Sequence, residues 1–137
     1  MMKLFLLFSS FILFLSAQEL VVVADKNFKE ELTVEEIKDI FLSKKRFVDE
    51  KRILVMNHEF DDPLRKCFEK NILKKSRRSL ERYWQKAHYK GKRPPKIVKS
   101  TEMLLSYMEK IEPSIGYVDA NESAIKDLKI LYRGTCE

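Results

Sequence analysis

The chain has few of the residues that interrupt regular structure. Among its 137 residues, three are glycine and four are proline, while 45% are apolar. This composition excludes a disordered or low-complexity protein. The two histidines, His58 and His88, are isolated in the sequence, so no metal site and no cofactor are predicted. No Ser-His-Asp or Cys-His arrangement can be placed either, and the sequence does not indicate an enzyme.

Long apolar runs are also scarce, and the longest lies at the N-terminus. A short positive region at residues 1–3 precedes an apolar run from Leu4 to Ala17, which ends in small residues. A membrane-spanning helix needs about 20 apolar residues, so we interpret residues 1–17 as a signal peptide that is cleaved after Ala17. The alternative is a retained anchor. Residues 18–137 have the size of one domain, which would not span a membrane after removal of the signal.

The positive charge of the protein is concentrated in one segment. The whole chain has a net charge of +6, yet residues 77–99 contain nine Lys or Arg and one acid, Glu81. Basic residues interleaved with aromatic ones are typical of nucleic-acid binding. Because an exported protein meets little nucleic acid, we instead expect an anionic solute, an acidic partner surface or a solvated face.

The apolar pattern alternates between strands and helices. Short β-branched runs predict strands, and apolar residues spaced three or four apart predict helices. The expected strands are residues 19–24, 53–57, 114–118 and 129–133, with an extended segment at 97–98; the expected helices begin near residues 33, 63, 77 and 101. This alternation predicts an α/β fold with a small mixed sheet flanked by helices.

Capping residues fix where the expected helices begin. Thr33 and Glu36 form a capping box, and Asp62 followed by Pro63 is a strong helix start. Either Ser76 or Ser79 caps the third helix. The apolar face of that helix is expected to place Leu80, Trp84 and Ala87 in the core, and the helix is expected to stop near Lys90.

Three segments together resemble a known family. They are LTVEEIKDIFLSKKRFVDEKRILVMN (residues 32–57), YWQKAHYKGKRPP (residues 83–95) and PSIGYV (residues 113–118). In this order they resemble the second lobe of the periplasmic phosphate-binding proteins of ABC-type phosphate transporters, and more closely their short, single-lobe exported relatives. The resemblance implies a single periplasmic-binding-protein lobe that is located in the periplasm and is not an enzyme.

The resemblance also points to candidate binding residues. In the two-lobed relatives, the loop between a strand and the next helix carries an Arg and a turn rich in glycine and hydroxyl groups, which holds phosphate. The matching loop here, Asn57–Leu64, has neither glycines nor hydroxyls, and Asp62 already caps the helix. The candidate binding residues are Asn57, His58 and Arg65 around this loop, and Lys90, Lys92 and Arg93 in the basic segment.

Two functions remain open from the sequence. The first is a module that binds phosphate or another inorganic oxyanion in uptake or sensing. The second is an interaction module that keeps the lobe as a scaffold and docks on a membrane transporter or a sensor protein.

Only two cysteines occur, and both lie in the exported part. An even number of cysteines in an oxidising compartment favours a disulfide between Cys67 and Cys136. The alternative is a buried Cys67 with a free thiol on the C-terminal tail.

Overall fold

A five-stranded mixed sheet forms the centre of the protein. The computed structural model describes residues 18–136, and the expected signal peptide, residues 1–17, lies outside them. The strands are β1 (Glu19–Ala24), β2 (Phe47–Val48), β3 (Lys51–Arg52), β4 (Leu54–Asn57), β5 (Lys96–Ile97), β6 (Ser114–Asp119) and β7 (Lys129–Thr135). The helices are α1 (Val34–Phe41), α2 (Pro63–Phe68), α3 (Arg77–Tyr89) and α4 (Thr101–Lys110), with a π-helix at Glu69–Leu73 and a 3-10 helix at Ser123–Asp127.

The strands of the main sheet follow the order β5-β4-β6-β1-β7. Strands β4, β5 and β6 run parallel, whereas β1 is antiparallel to both of its neighbours, β6 and β7. Residues Leu20–Ala24 of β1 are almost completely buried, as expected of a strand covered on both faces. The predicted α/β class, with a small mixed sheet flanked by helices, is confirmed.

Two cores lie on opposite faces of the sheet. On one face, Val22 and Tyr117 pack under α1, α2, the π-helix and α3. On the other face, Val21 and Val23 pack under α4 and the 3-10 helix. This division follows from strand geometry, because successive side chains point to opposite faces. In the first core the rings of Tyr117 and Phe68 are stacked, with their centroids 4.2 Å apart.

The capping residues act as predicted. The Thr33 hydroxyl accepts from the Glu36 N–H, and the Glu36 carboxylate accepts from the Thr33 N–H, each at 3.2 Å. The Asp62 carboxylate accepts from the Leu64 N–H at 2.9 Å. Ser76, and not Ser79, caps α3.

Three local features differ from the sequence prediction. The helix that begins at Pro63 changes from α to π at Glu69 and ends at Lys74, which has a left-handed backbone. The β2–β3 hairpin was not expected. Trp84 is half-buried at the edge of the first core instead of lying inside it.

The predicted disulfide between Cys67 and Cys136 is present, with a Cα–Cα distance of 5.4 Å. It ties the chain end after β7 to α2, and the Cys136 N–H also donates to the Gln18 carbonyl at 2.8 Å. Within residues 18–136, every helix is too short or too polar to cross a membrane.

Candidate functional site

A cleft of about 290 Å³ opens beyond the carboxyl end of β4. In sheets with parallel strands and flanking helices, ligands bind outside the carboxyl ends of the strands, and the β4–α2 loop, the π-helix and α3 surround the cleft at this position. The cleft is lined by Phe41, Asn57, Phe60, Arg65, Glu69, Leu73, Arg77, Arg78, Leu80, Glu81, Trp84 and Pro95.

A buried carboxylate organises the cleft. Glu69 has 5% of its surface exposed, and its two oxygens accept from different arginines. Arg65 Nε donates to one oxygen at 3.1 Å, and Arg77 Nε donates to the other at 3.0 Å. Because a buried charge is costly unless it is paired, these contacts hold both guanidinium groups in place.

Backbone carbonyls fix the second nitrogen of each guanidinium. Arg65 Nη1 donates to the His58 carbonyl at 3.0 Å, and Arg77 Nη2 donates to the Phe60 carbonyl. A guanidinium has five N–H donors, and these contacts use two on each arginine. Within the part of the chain that the structure describes, the remaining N–H groups of both arginines make no hydrogen bond to the protein, and the two side chains are 18% and 28% exposed.

Phe60 adds an aromatic surface to the cleft. Its side chain is exposed, and the Arg77 guanidinium carbon lies 3.6 Å from the ring centroid. The guanidinium carbon of Arg65 lies 5.7 Å from the same centroid. These are cation–π distances, so the ring also restricts the orientation of the arginines.

The expected site residues around the β4–α2 loop have different positions. Asn57 and Arg65 line the cleft. The Asn57 side-chain oxygen also accepts from the Tyr117 hydroxyl and from the His58 N–H. The His58 ring is buried, and its Nε2 lies 2.7 Å from the Tyr117 carbonyl, which can only accept a hydrogen bond. The His58 Nδ1 lies 3.8 Å from the Asp62 carboxylate, and the His58 backbone carbonyl accepts from Arg65.

The candidates from the basic segment lie elsewhere. Lys90 ends α3, and Lys92 lines a shallow basin of about 680 Å³ that contains His88, Tyr89 and Pro94 but neither Arg65 nor Arg77. Arg93 is exposed, and its carbonyl accepts from the Ser43 hydroxyl at 2.7 Å. The structure does not bring these three cations together with Asn57 and Arg65.

Of the lining residues, only Asn57 and Arg65 were expected site residues from the sequence, and the contacts made by Phe60, Glu69 and Arg77 were missed. The four-residue spacing of Arg65 and Glu69 on a helix is a signal for an ion pair, and it could have identified the first contact. The contribution of Arg77 depends on the chain reversal at Lys74, where the left-handed residue is not a glycine. That conformation has no clear sequence signal.

Comparisons with known proteins identify related structures but no family. The chain matches no family model, and a search of curated proteins finds no relative. A phosphate ABC transporter substrate-binding protein from Clostridium perfringens, solved with bound phosphate, matches 84% of this chain with a TM-score of 0.66 and 19% identity. An ABC-type phosphate transport receptor from Vibrio cholerae matches 83% of it with a TM-score of 0.62 and 16% identity.

These identities show a common fold and no closer relationship. The matches cover 45% and 46% of the two solved chains. This protein therefore spans less than half the length of its structural neighbours, and it has a fold like one lobe of a periplasmic binding protein.

Proposed function

We propose that this protein is an exported binding module that holds an oxyanion group in the cleft between the β4–α2 loop and α3. The observation that carries the proposal is the pair of guanidinium groups, Arg65 and Arg77, that Glu69 fixes at the same cleft. Periplasmic localisation is part of the proposal. It is supported by the apolar N-terminal segment and by the disulfide, which is typical of proteins in oxidising compartments.

The geometry of the arginines suits an oxyanion. The planar fork of a guanidinium matches the spacing of carboxylate and phosphate oxygens. Arg65 and Arg77 are already ordered by protein contacts, so a ligand would not have to supply the full entropy cost of ordering them. The bound phosphate of the Clostridium perfringens protein supports an anion as the ligand class.

A single lobe would bind an inorganic anion weakly. The α2 N-terminus is closed to anions because Asp62 caps it and Pro63 lacks an N–H. In the relatives a second lobe completes the cleft, and no second lobe lies within residues 18–136. We therefore expect no micromolar or tighter phosphate binding by the monomer.

Isothermal titration of the disulfide-bonded monomer with phosphate, sulfate and acetate tests the proposal. We expect millimolar-range binding of at least one anion. Arg77→Lys should weaken it about tenfold, because lysine keeps the charge but loses the fork, and Arg82→Lys on the exposed part of α3 should leave it unchanged. Binding that is absent, or equal in both variants, would contradict the proposal.

A second function is favoured by the basin at the end of α3. Tyr89 has 91% of its surface exposed, beside Lys90 and Arg93. Exposed tyrosine and arginine are enriched in protein interfaces, so the exposed residues among positions 89–93 beside this basin fit an acidic surface of a membrane transporter or sensor protein. A photocrosslinker at position 89 should give one discrete adduct that disappears when Lys90 and Arg93 are changed to Glu. Adducts that persist in that variant would argue against docking through these charges.

A further inference from the structure

More apolar side chains line the cleft than an inorganic anion requires. The polar residues of the cleft are Asn57, the two organised arginines, Arg78 and the two acids. The rest of the wall consists of the side chains of Phe41, Phe60, Leu73, Leu80, Trp84 and Pro95. Small-molecule sites of this type are mostly apolar, with a few polar groups that orient the ligand.

The volume of the cleft also exceeds that of a tetrahedral oxyanion. A water molecule takes up about 30 Å³ in the liquid, and phosphate or sulfate has only five non-hydrogen atoms. A cleft of about 290 Å³ would keep most of its apolar wall wet around such an ion. Organic ligands occupy sites of about 300 Å³ and larger, so the cleft is close to the lower end of that range.

The charge of the cleft fits a single negative charge. The lining contains three arginines and two glutamates, which gives one net positive charge. They are Arg65, Arg77, Arg78, Glu69 and Glu81. A monoanion would balance that charge, whereas a dianion would leave an unpaired negative charge.

Two partly exposed aromatic rings, Phe60 and Trp84, line the same cleft as the arginines. Phe60 is 58% exposed although Arg77 lies against it. Trp84 is half-buried, and Tyr83 holds its ring in an edge-on contact with the centroids 5.0 Å apart. An apolar ligand group between these rings would remove apolar surface from water, which is the main favourable term for such contacts.

We propose that the ligand of this cleft is an organic monoanion. Its carboxylate or similar head lies on the free N–H groups of Arg65 and Arg77, and its aromatic or branched aliphatic body contacts Phe60 and Trp84. This inference rests on the proposed anion-binding function and names the ligand class for the same cleft.

Four probes test the inference in titrations of the disulfide-bonded protein: benzoate, acetate, phosphate and benzyl alcohol. Benzoate and acetate carry the same head, and benzoate and benzyl alcohol have similar bodies. We expect benzoate to bind at least tenfold more tightly than each of the other three probes. Phe60→Ala should weaken benzoate binding about tenfold and acetate binding by a smaller factor, because acetate has no body that contacts the ring. Phe47→Ala is the matched control, since Phe47 is also exposed but lies on the β2–β3 hairpin, and it should change neither.

The possible outcomes separate the inference from the proposed function. Equal binding of benzoate and acetate, or tighter binding of phosphate, would contradict the proposal of an organic ligand. It would not contradict the proposal of anion binding. Equal binding of benzoate and benzyl alcohol would show an apolar pocket without anion recognition, which overturns both. Binding of none of the probes would remove the proposed function itself.

Discussion

The cleft beside Arg65 and the segment that contains Lys90, Lys92 and Arg93 both carry cations, but they differ in how these cations are held. In the cleft, each guanidinium has two defined protein partners, including the buried Glu69. In the segment after α3, Lys90 and Arg93 are exposed, and Lys92, which lines the basin, is half-buried. These three cations were candidates from the sequence because they lie in the segment that holds nine Lys or Arg. The structure shows the more ordered cations in the cleft.

This difference shows that the number of charges is a poor guide to a small-ligand site. Flexible exposed side chains lose conformational entropy when they bind, whereas ordered ones have already lost it on folding. A protein surface, in contrast, can contact many mobile cations at once and gains long-range attraction from them. This difference agrees with the two proposals, in which the cleft binds a small anion and the segment after α3 contacts a larger acidic partner.

The largest expected effect comes from the disulfide, which anchors the helix of the cleft and not the basin. Cys67 lies on α2, two residues after Arg65, and its partner Cys136 is 69 positions away. Replacing both cysteines by Ser should lower the free energy of unfolding by about 4 kcal/mol in the chain-entropy model. Urea denaturation measures this loss. A change below about 1 kcal/mol would show that the two segments stay together without the bridge.

Removing the buried carboxylate should have the next largest effect. Glu69→Gln leaves two guanidinium groups without their anion, and breaking a buried ion pair in this way costs about 3 kcal/mol or more. Glu81→Gln is the control, because Glu81 is exposed at the border of the cleft and the basin, and we expect less than about 0.5 kcal/mol there. Equal losses in the two variants would mean that Glu69 does not organise the cleft.

Trp84 lines both cavities and should contribute an intermediate amount to stability. A fully buried Trp→Ala change costs about 3 to 5 kcal/mol, and since Trp84 is half-buried, we expect about 2 kcal/mol by denaturation. Tyr89→Ala, which removes an almost fully exposed ring of the basin, should be nearly neutral. A neutral Trp84→Ala would place the ring on a surface and make it a candidate interface residue.

The smallest expected effect is a dependence of the stability on pH that arises outside both the cleft and the basin. Asp25 is buried, and this burial raises the pKa of its carboxyl above the ordinary value of 3.8 despite its hydrogen bond from the Ser114 N–H. The folded protein then binds this proton more tightly than the unfolded chain does. Stability should therefore fall as the pH rises above 3.8 and through the raised pKa.

Asp25→Asn should remove this component of the pH dependence. Unfolding measured as a function of pH, in the variant and in the wild type, gives the difference directly. An unchanged slope would show that Asp25 is not the source of this pH dependence.

Most of the fold could be predicted from the sequence because local signals and packing agree. The apolar run of β1 and the caps at Thr33, Asp62 and Ser76 each specify an element that the structure contains. The β2–β3 hairpin was missed because its turn residues, Asp49 and Glu50, have positive φ angles without a glycine or asparagine. Its two-residue strands are also too short to show alternation.

Less of the candidate site could be predicted, for a physical reason. Asn57 and Arg65 were recognised because they border the loop that matches the phosphate-binding loop of the family that the sequence resembles. To predict the role of Glu69, one must know that its carboxylate is buried. To predict the role of Arg77, one must know that the chain reverses direction at Lys74. Contacts of this kind are set by tertiary structure, so spacing alone does not reveal them.

The most direct test of anion binding in the cleft is a titration in which the amide chemical shifts are measured at each step. Benzoate is added to the isotopically labelled, disulfide-bonded protein, and the shifts are compared between the cleft and the basin. If the anion binds in the cleft, we expect saturable shifts at Asn57, Phe60, Arg65 and Arg77, with smaller changes at residues 88–93. Saturable shifts confined to residues 88–93, or no saturable shift in the cleft, would contradict the claim that the arginines fixed by Glu69 form the anion site.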